Sequence, residues 1–175
     1  MVAGDANEDR EPRVPTIDDL VHLCQSLNEC GANYIVVGGW AVIQHGFGRT
    51  TEDIDLLVDA TPENFRKVRE AMLRLPDGAV REVQPGDLDQ YIVVRVADEF
   101  VVDLMKAACG VTYAEAREGI SWVTIRDVRI PIASPKLLLR LKQTYRAKDA
   151  QDVLFLKTLL AKESREKKRA RDHNP

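Results

Sequence analysis

The stretch Asp53-Ile54-Asp55-Leu56-Leu57-Val58 constrains this chain more than any other. Its branched apolar residues predict a strand, and in a strand alternate side chains face opposite sides. Ile54, Leu56 and Val58 then enter a core, while Asp53 and Asp55 emerge together on the other side, about 6–7 Å apart at ~3.3 Å per residue. Two carboxylates so close raise each other's pKa unless a cation lies between them. Hard oxygen ligands of this kind suit Mg²⁺ or Mn²⁺. A calcium loop is excluded, because Leu56, Leu57 and Val58 stand where an EF-hand needs polar ligands and a glycine. Taken alone, Asp-x-Asp also fits two solvated carboxylates at a strand end.

A third acid, Asp103, interrupts the apolar run Val101-Val102-Asp103-Leu104-Met105. The run predicts another strand. If it lies beside the first, three carboxylates converge; the alternative is an edge strand whose charge blocks aggregation. A Mg²⁺ site of several carboxylates is suited to phosphate chemistry, since the ion keeps open positions for phosphate oxygens. Upstream, Tyr34 to Val37 read as a buried strand ending at Gly38-Gly39, before a short helix from Trp40 to His45. Glycines at such a junction let backbone N–H groups approach an anion, although a Gly-Gly pair also serves as a plain tight turn. Arg49 and Thr51 sit four and two residues before the first acid. Arg49 suits a bidentate phosphate contact or an ion pair that stabilises the loop. His45 suits the C-terminal end of the short helix, where a protonated imidazole is favoured, or a place near the substrate.

Around these motifs the chain reads as a mixed α/β layer. Thr16, with Asp19 three positions on, starts a helix whose apolar face is Ile17, Leu20, Val21, Cys24 and Leu27 and which stops at Gly31. Thr61-Pro62 opens another helix to about Leu75. Strands near 90–96 and 100–105 flank a short Ala97-Asp98-Glu99 turn, and strands near 120–125 and 128–132 form a second hairpin about Arg126-Asp127. Ser134-Pro135 caps a helix, and a last helix starts near Asp149. The expected divisions are an acidic leader at 1–15, a palm-like sheet domain at 16–133, a helical hairpin at 134–163 and a mobile basic tail at 164–175.

Charge is uneven along the chain. The chain carries a net charge of −3, but residues 129–148 hold six bases (Arg129, Lys136, Arg140, Lys142, Arg146, Lys148) and no acid. That segment is basic enough to attract phosphate, and it equally fits a solvated helix face; Tyr145 within it and Trp122 are the candidates for stacking on bases. The three cysteines show no metal-ligand or disulfide-framework spacing, and no apolar run approaches a membrane span or a signal h-region. A cytoplasmic protein is expected.

The joint pattern is Gly38-Gly39-Trp40-Ala41, His45-Gly46, Arg49-x-Thr51-x-Asp53-Ile54-Asp55-Leu56 and then Asp103. It resembles the nucleotidyltransferase superfamily with the DNA-polymerase-β-type palm. More narrowly, it is similar to the small bacterial Gly-Gly-x-Ala branch, which includes the AbiEii/MenT-type toxins. Ile132-Ala133-Ser134-Pro135, Lys142 and Arg146-x-Lys148-Asp149-x-x-Asp152 extend the similarity. The resemblance implies a twisted mixed sheet flanked by helices. It also implies transfer of a nucleoside monophosphate from a triphosphate to an acceptor hydroxyl, with tRNA or another RNA as the suggested acceptor and a cognate antitoxin as a partner. By the match, Asp53 and Asp55 would ligate the metal; Asp103 would complete the site and orient or deprotonate the acceptor hydroxyl. Gly38 and Gly39 would hold the triphosphate, and Lys142 or Lys148 would neutralise it. Asp149 would either anchor a lysine or contact the nucleotide. Trp40 stands where many members of the superfamily carry a serine, which removes one hydroxyl contact to phosphate. Two other classes fit the same residues: a catalytically silent nucleotide- or RNA-binding module, and an interaction protein using its acidic leader and basic tail.

Overall fold

A computed structural model describes residues 11–142 and 147–172. The elements run α1 (Ile17–Glu29), β1 (Tyr34–Val36), α2 (Gly38–Gln44), β2 (Asp53–Val58), α3 (Pro62–Met72), α4 (Asp87–Gln90), β3 (Val94–Ala97) and β4 (Val101–Met105). They continue with β5 (Ala107–Ala108), β6 (Val111–Thr112), α5 (Tyr113–Ala116), β7 (Ile120–Ile125), β8 (Val128–Ala133), α6 (Pro135–Leu141) and α7 (Ala147–Asp172). Six strands form one mixed sheet in the order β3-β4-β2-β1-β8-β7, flanked by helices; β5 and β6 make a separate small hairpin.

The expected local signals act as the sequence implies. Thr16 accepts from the Asp19 backbone N–H, and the Asp19 carboxylate accepts from the Thr16 backbone N–H at 2.6 Å, which closes a capping box at the start of α1. Arg13 grips the same carboxylate with two hydrogen bonds of 2.6 and 2.8 Å. Those bonds hold the Asp19 carboxyl down at about 2. Leu20, Val21, Leu23, Cys24 and Leu27 bury the face of α1 that packs on α3 and β8. The turn between β7 and β8 is built on Arg126 and Asp127, both left-handed with φ of 48° and 66°. Two successive left-handed residues match the twist of a tight hairpin, although neither is a glycine.

Two divisions shift. The leader is already anchored at Arg13, whose backbone N–H donates to Glu99 O at 2.8 Å and whose guanidinium lies over the Phe100 ring. At the other end α7 continues to Asp172, past the boundary expected at 163. Residues 162–171 are mostly Lys, Arg, Glu and Ala, strong helix formers with Glu163 and Lys167 one turn apart, so the helix persists without core contact. Residues 1–10, 143–146 and 173–175 lie outside the described residues. Among the described residues no helix is long and apolar enough to cross a membrane.

Candidate active site

Strand register assembles the acids. β2 runs parallel to β4 with Asp55 directly beside Asp103 and Asp53 beside Val101. Ile54, Leu56, Val102 and Leu104 from the same strands are fully buried on the opposite side of the sheet. Alternation therefore leaves Asp53, Asp55 and Asp103 on one face, with one oxygen of each within 4.8 Å of the others. β4 is an inner strand, so Asp103 is not an edge-strand charge, and it is buried at 5% exposure. Three carboxylate oxygens this close could hold a metal ion, and oxygen donors are the kind that hard divalent cations take.

A cavity of about 370 Å³ opens over this face. Gly38 and Gly39, at the start of α2, form one wall. Gly38 has φ +59°, and a Cβ there would fall on the Asp55 carboxylate. A Cβ on Gly39 would collide with Thr51 and reach 3.0 Å from the Arg49 guanidinium. Both positions thus need glycine, so that backbone can sit directly against the acidic strand. Thr51 is buried, and its hydroxyl lies 3.4 Å from Asp53 Oδ1.

The expected cations are placed differently from free phosphate ligands. Arg49 pairs with Asp152 on α7: Nη2 donates to Oδ2 at 3.0 Å, and Nε lies 3.0 Å from Oδ1 as an ion contact without a hydrogen bond. Lys142 is buried at 7% exposure, with Nζ 2.7 Å from Asp152 and 3.2 Å from Asp149. Asp149 thus anchors the lysine, the first of its two expected roles. Lys142, Asp149 and Arg49 still line the cavity. Phe47 stacks on Phe155 with centroids 4.8 Å apart and fixes α7 beside the loop that carries Arg49. Lys148 falls within α7, but its side chain, like all of Tyr145 and Arg146, lies outside the described residues. Of the basic stretch 129–148, Arg129, Lys136 and Arg140 are exposed. Lys142 is not part of that surface, because two carboxylates hold it in the interior. Trp122 is half exposed, with the Arg129 guanidinium 4.2 Å from its ring centroid. His45 takes the structural role, with Nε2 2.8 Å from Ala133 O.

Arg95 was not anticipated. It stands on β3 directly opposite Asp103. Its Nε and Nη2 donate to both Asp103 oxygens at 2.9 and 2.8 Å, and Nη2 lies 3.5 Å from Asp53 Oδ2. The sequence implies a cation between Asp53 and Asp55; the guanidinium instead bridges Asp103 and Asp53. The hydrogen bonds to Asp103 push the guanidinium pKa above its ordinary value. The signal was available: in a hairpin that pairs Ala97 with Val101, position 95 falls opposite position 103.

No family model matches the chain, and no curated protein matches it significantly.

Proposed function

We propose that this chain is a metal-dependent nucleotidyltransferase with a polymerase-β-type palm, moving a nucleoside monophosphate from a nucleoside triphosphate to an acceptor hydroxyl. The observation that carries this reading is the convergence of Asp53, Asp55 and Asp103 on one face, under a cavity walled by Gly38 and Gly39. Asp53, Asp55 and Asp103 would hold Mg²⁺ or Mn²⁺, which supplies Lewis-acid stabilisation of charge on the phosphoryl oxygens. The close backbone at Gly38-Gly39 and the neighbouring Arg49 and Thr51 line the place for the triphosphate. Asp103, the most buried of the three acids, is the group assigned to orient the acceptor hydroxyl or take its proton. RNA, and tRNA in particular, is the favoured acceptor, supported by exposed Arg129, Lys136 and Arg140; the chain would then act as the toxin of a toxin–antitoxin pair in the cytoplasm. A protein or small-molecule hydroxyl is the other acceptor class.

A second reading, a silent nucleotide- or RNA-binding module, draws on Arg95, which already supplies a positive charge to Asp103. Mg²⁺-dependent release of pyrophosphate from each triphosphate, in the presence of total cellular RNA, separates the two. Release that disappears in Asp55→Asn supports the transferase; saturable nucleotide binding with no release supports the module.

A further inference from the structure

The cluster of carboxylates is already engaged. Arg95 uses both oxygens of Asp103 and approaches Asp53, so two of the three acids that would receive a divalent ion face the same guanidinium. A ligand set cannot give the same oxygen lone pairs to a guanidinium and to a metal without weakening one contact. The side chain that must yield is evident from packing. Asp103 is 7% exposed at the side chain and fixed on an inner strand, whereas the Arg95 side chain is 61% exposed on the edge strand β3. Arg95 also has room to leave. It borders the cavity over the acidic face and two further ones, of about 450 and 340 Å³, and the larger of these two also carries Glu52 and Glu11 in its walls.

We infer that Arg95 is a built-in counter-ion that competes with the divalent cation for Asp103 and is displaced when the ion binds. This rests on the metal-dependent reading proposed above. The consequence is a site that stays assembled without metal, with one of its three negative charges offset, at the expense of metal affinity. The guanidinium holds the Asp103 carboxylate at its working position and lowers repulsion among three acids. Arg95 also lines the cavity over the acidic face, the place assigned to the triphosphate. Arg95 is a positioning residue in this scheme.

The test is Mn²⁺ binding without nucleotide, followed by calorimetry and by the loss of free Mn²⁺ paramagnetic signal. Wild type, Arg95→Gln and Arg95→Lys are compared, with Asp55→Asn as the control for the site. Thermal melts with and without Mn²⁺ verify that each variant is folded. The expected result is that Arg95→Gln binds Mn²⁺ about five-fold more tightly than wild type, the scale of one half-exposed bidentate ion pair. Arg95→Lys falls between, because an ammonium cannot span both oxygens. In the melts, Arg95→Gln is less stable than wild type without metal and gains more from Mn²⁺. Equal or weaker Mn²⁺ binding by folded Arg95→Gln, with wild-type binding intact and lost in Asp55→Asn, overturns the competition and leaves the metal site standing. Absence of saturable Mn²⁺ binding in every protein overturns both.

Discussion

Asp152 is one of the points at which the C-terminal helix is joined to the candidate site, and its removal has a calculable effect. The side chain is fully buried and meets two cations: Arg49, 20% exposed, and Lys142, 7% exposed. Stripping one partner from a buried ion pair costs about 3–5 kcal/mol, chiefly because a desolvated charge is left uncompensated. Lys142 retains Asp149, and Arg49 is partly solvated, so the lower end applies. Asp152→Ala should therefore destabilise the protein by about 3 kcal/mol, a fall in Tm of roughly 6–12 °C for a chain of this size. The Phe47 and Phe155 stack keeps α7 docked, so the variant should still fold. Adding Arg49→Met should recover part of the loss, because the orphaned guanidinium is gone. Urea unfolding of the two single variants and the double variant, monitored by circular dichroism, measures the coupling. A cost under 1 kcal/mol for Asp152→Ala, or strict additivity in the double variant, would refute the claim that this buried network fastens α7 to the site.

Other outcomes follow from the same geometry. Asp55→Asn should lower pyrophosphate release at least 100-fold while leaving the Tm within a few degrees, because Asp55 projects from the sheet face and not into the core. Gly38→Ala should cost about 2 kcal/mol, through its left-handed φ and a Cβ that meets Asp55, and should abolish release; denaturant melts and the same assay check this. Thr16→Ala should cost about 1 kcal/mol by loss of the cap. Because the folded Asp19 carboxyl titrates at about 2, below its ordinary 3.8, its stabilisation is present above pH ~4 and is lost as pH falls toward 2. Asp19→Asn should flatten the acid limb of a stability profile over that window. Cys109 is exposed and lines the cavity, whereas burial pushes the Cys24 thiol up to about 12. A bulky thiol reagent should therefore modify Cys109 in the folded protein and weaken nucleotide binding, leaving Cys24 unmodified until unfolding.

The acids were legible in the sequence because strand alternation is a local rule. Asp53 and Asp55 had to share a face once Ile54 and Leu56 were placed in the core, and Asp103 needed only one assumption, that its strand was a neighbour. The sheet order satisfies that assumption. The cations were less legible, because a charged side chain's partner depends on tertiary approach. Arg49 reads equally well as a phosphate ligand or an ion-pair member, and Lys142 reads as a triphosphate ligand; only the tertiary fold shows Arg49 against Asp152 and Lys142 against Asp149 and Asp152 on α7. Arg95 required counting register through a hairpin whose ends were uncertain by a residue or two, and a shift of one would have turned it to the other face. Residues 106–119, with β5, β6 and α5, gave no periodic signal, because elements of two to four residues are too short to show one. The long α7 was foreshortened because its outer half has no apolar stripe, and helix propensity alone carries it.

The proposed reaction transfers a nucleoside monophosphate, through its α-phosphorus, at the three-carboxylate face. The most direct measurement incubates the protein with Mg²⁺, cell extract and each α-labelled triphosphate in turn, and compares label fixed to acceptor with pyrophosphate released. The account predicts equal amounts of both for at least one nucleotide, abolished by chelator and by Asp53→Asn or Asp103→Asn in folded protein. Label fixed undiminished by either substitution, or no label from any nucleotide in any fraction, would contradict it.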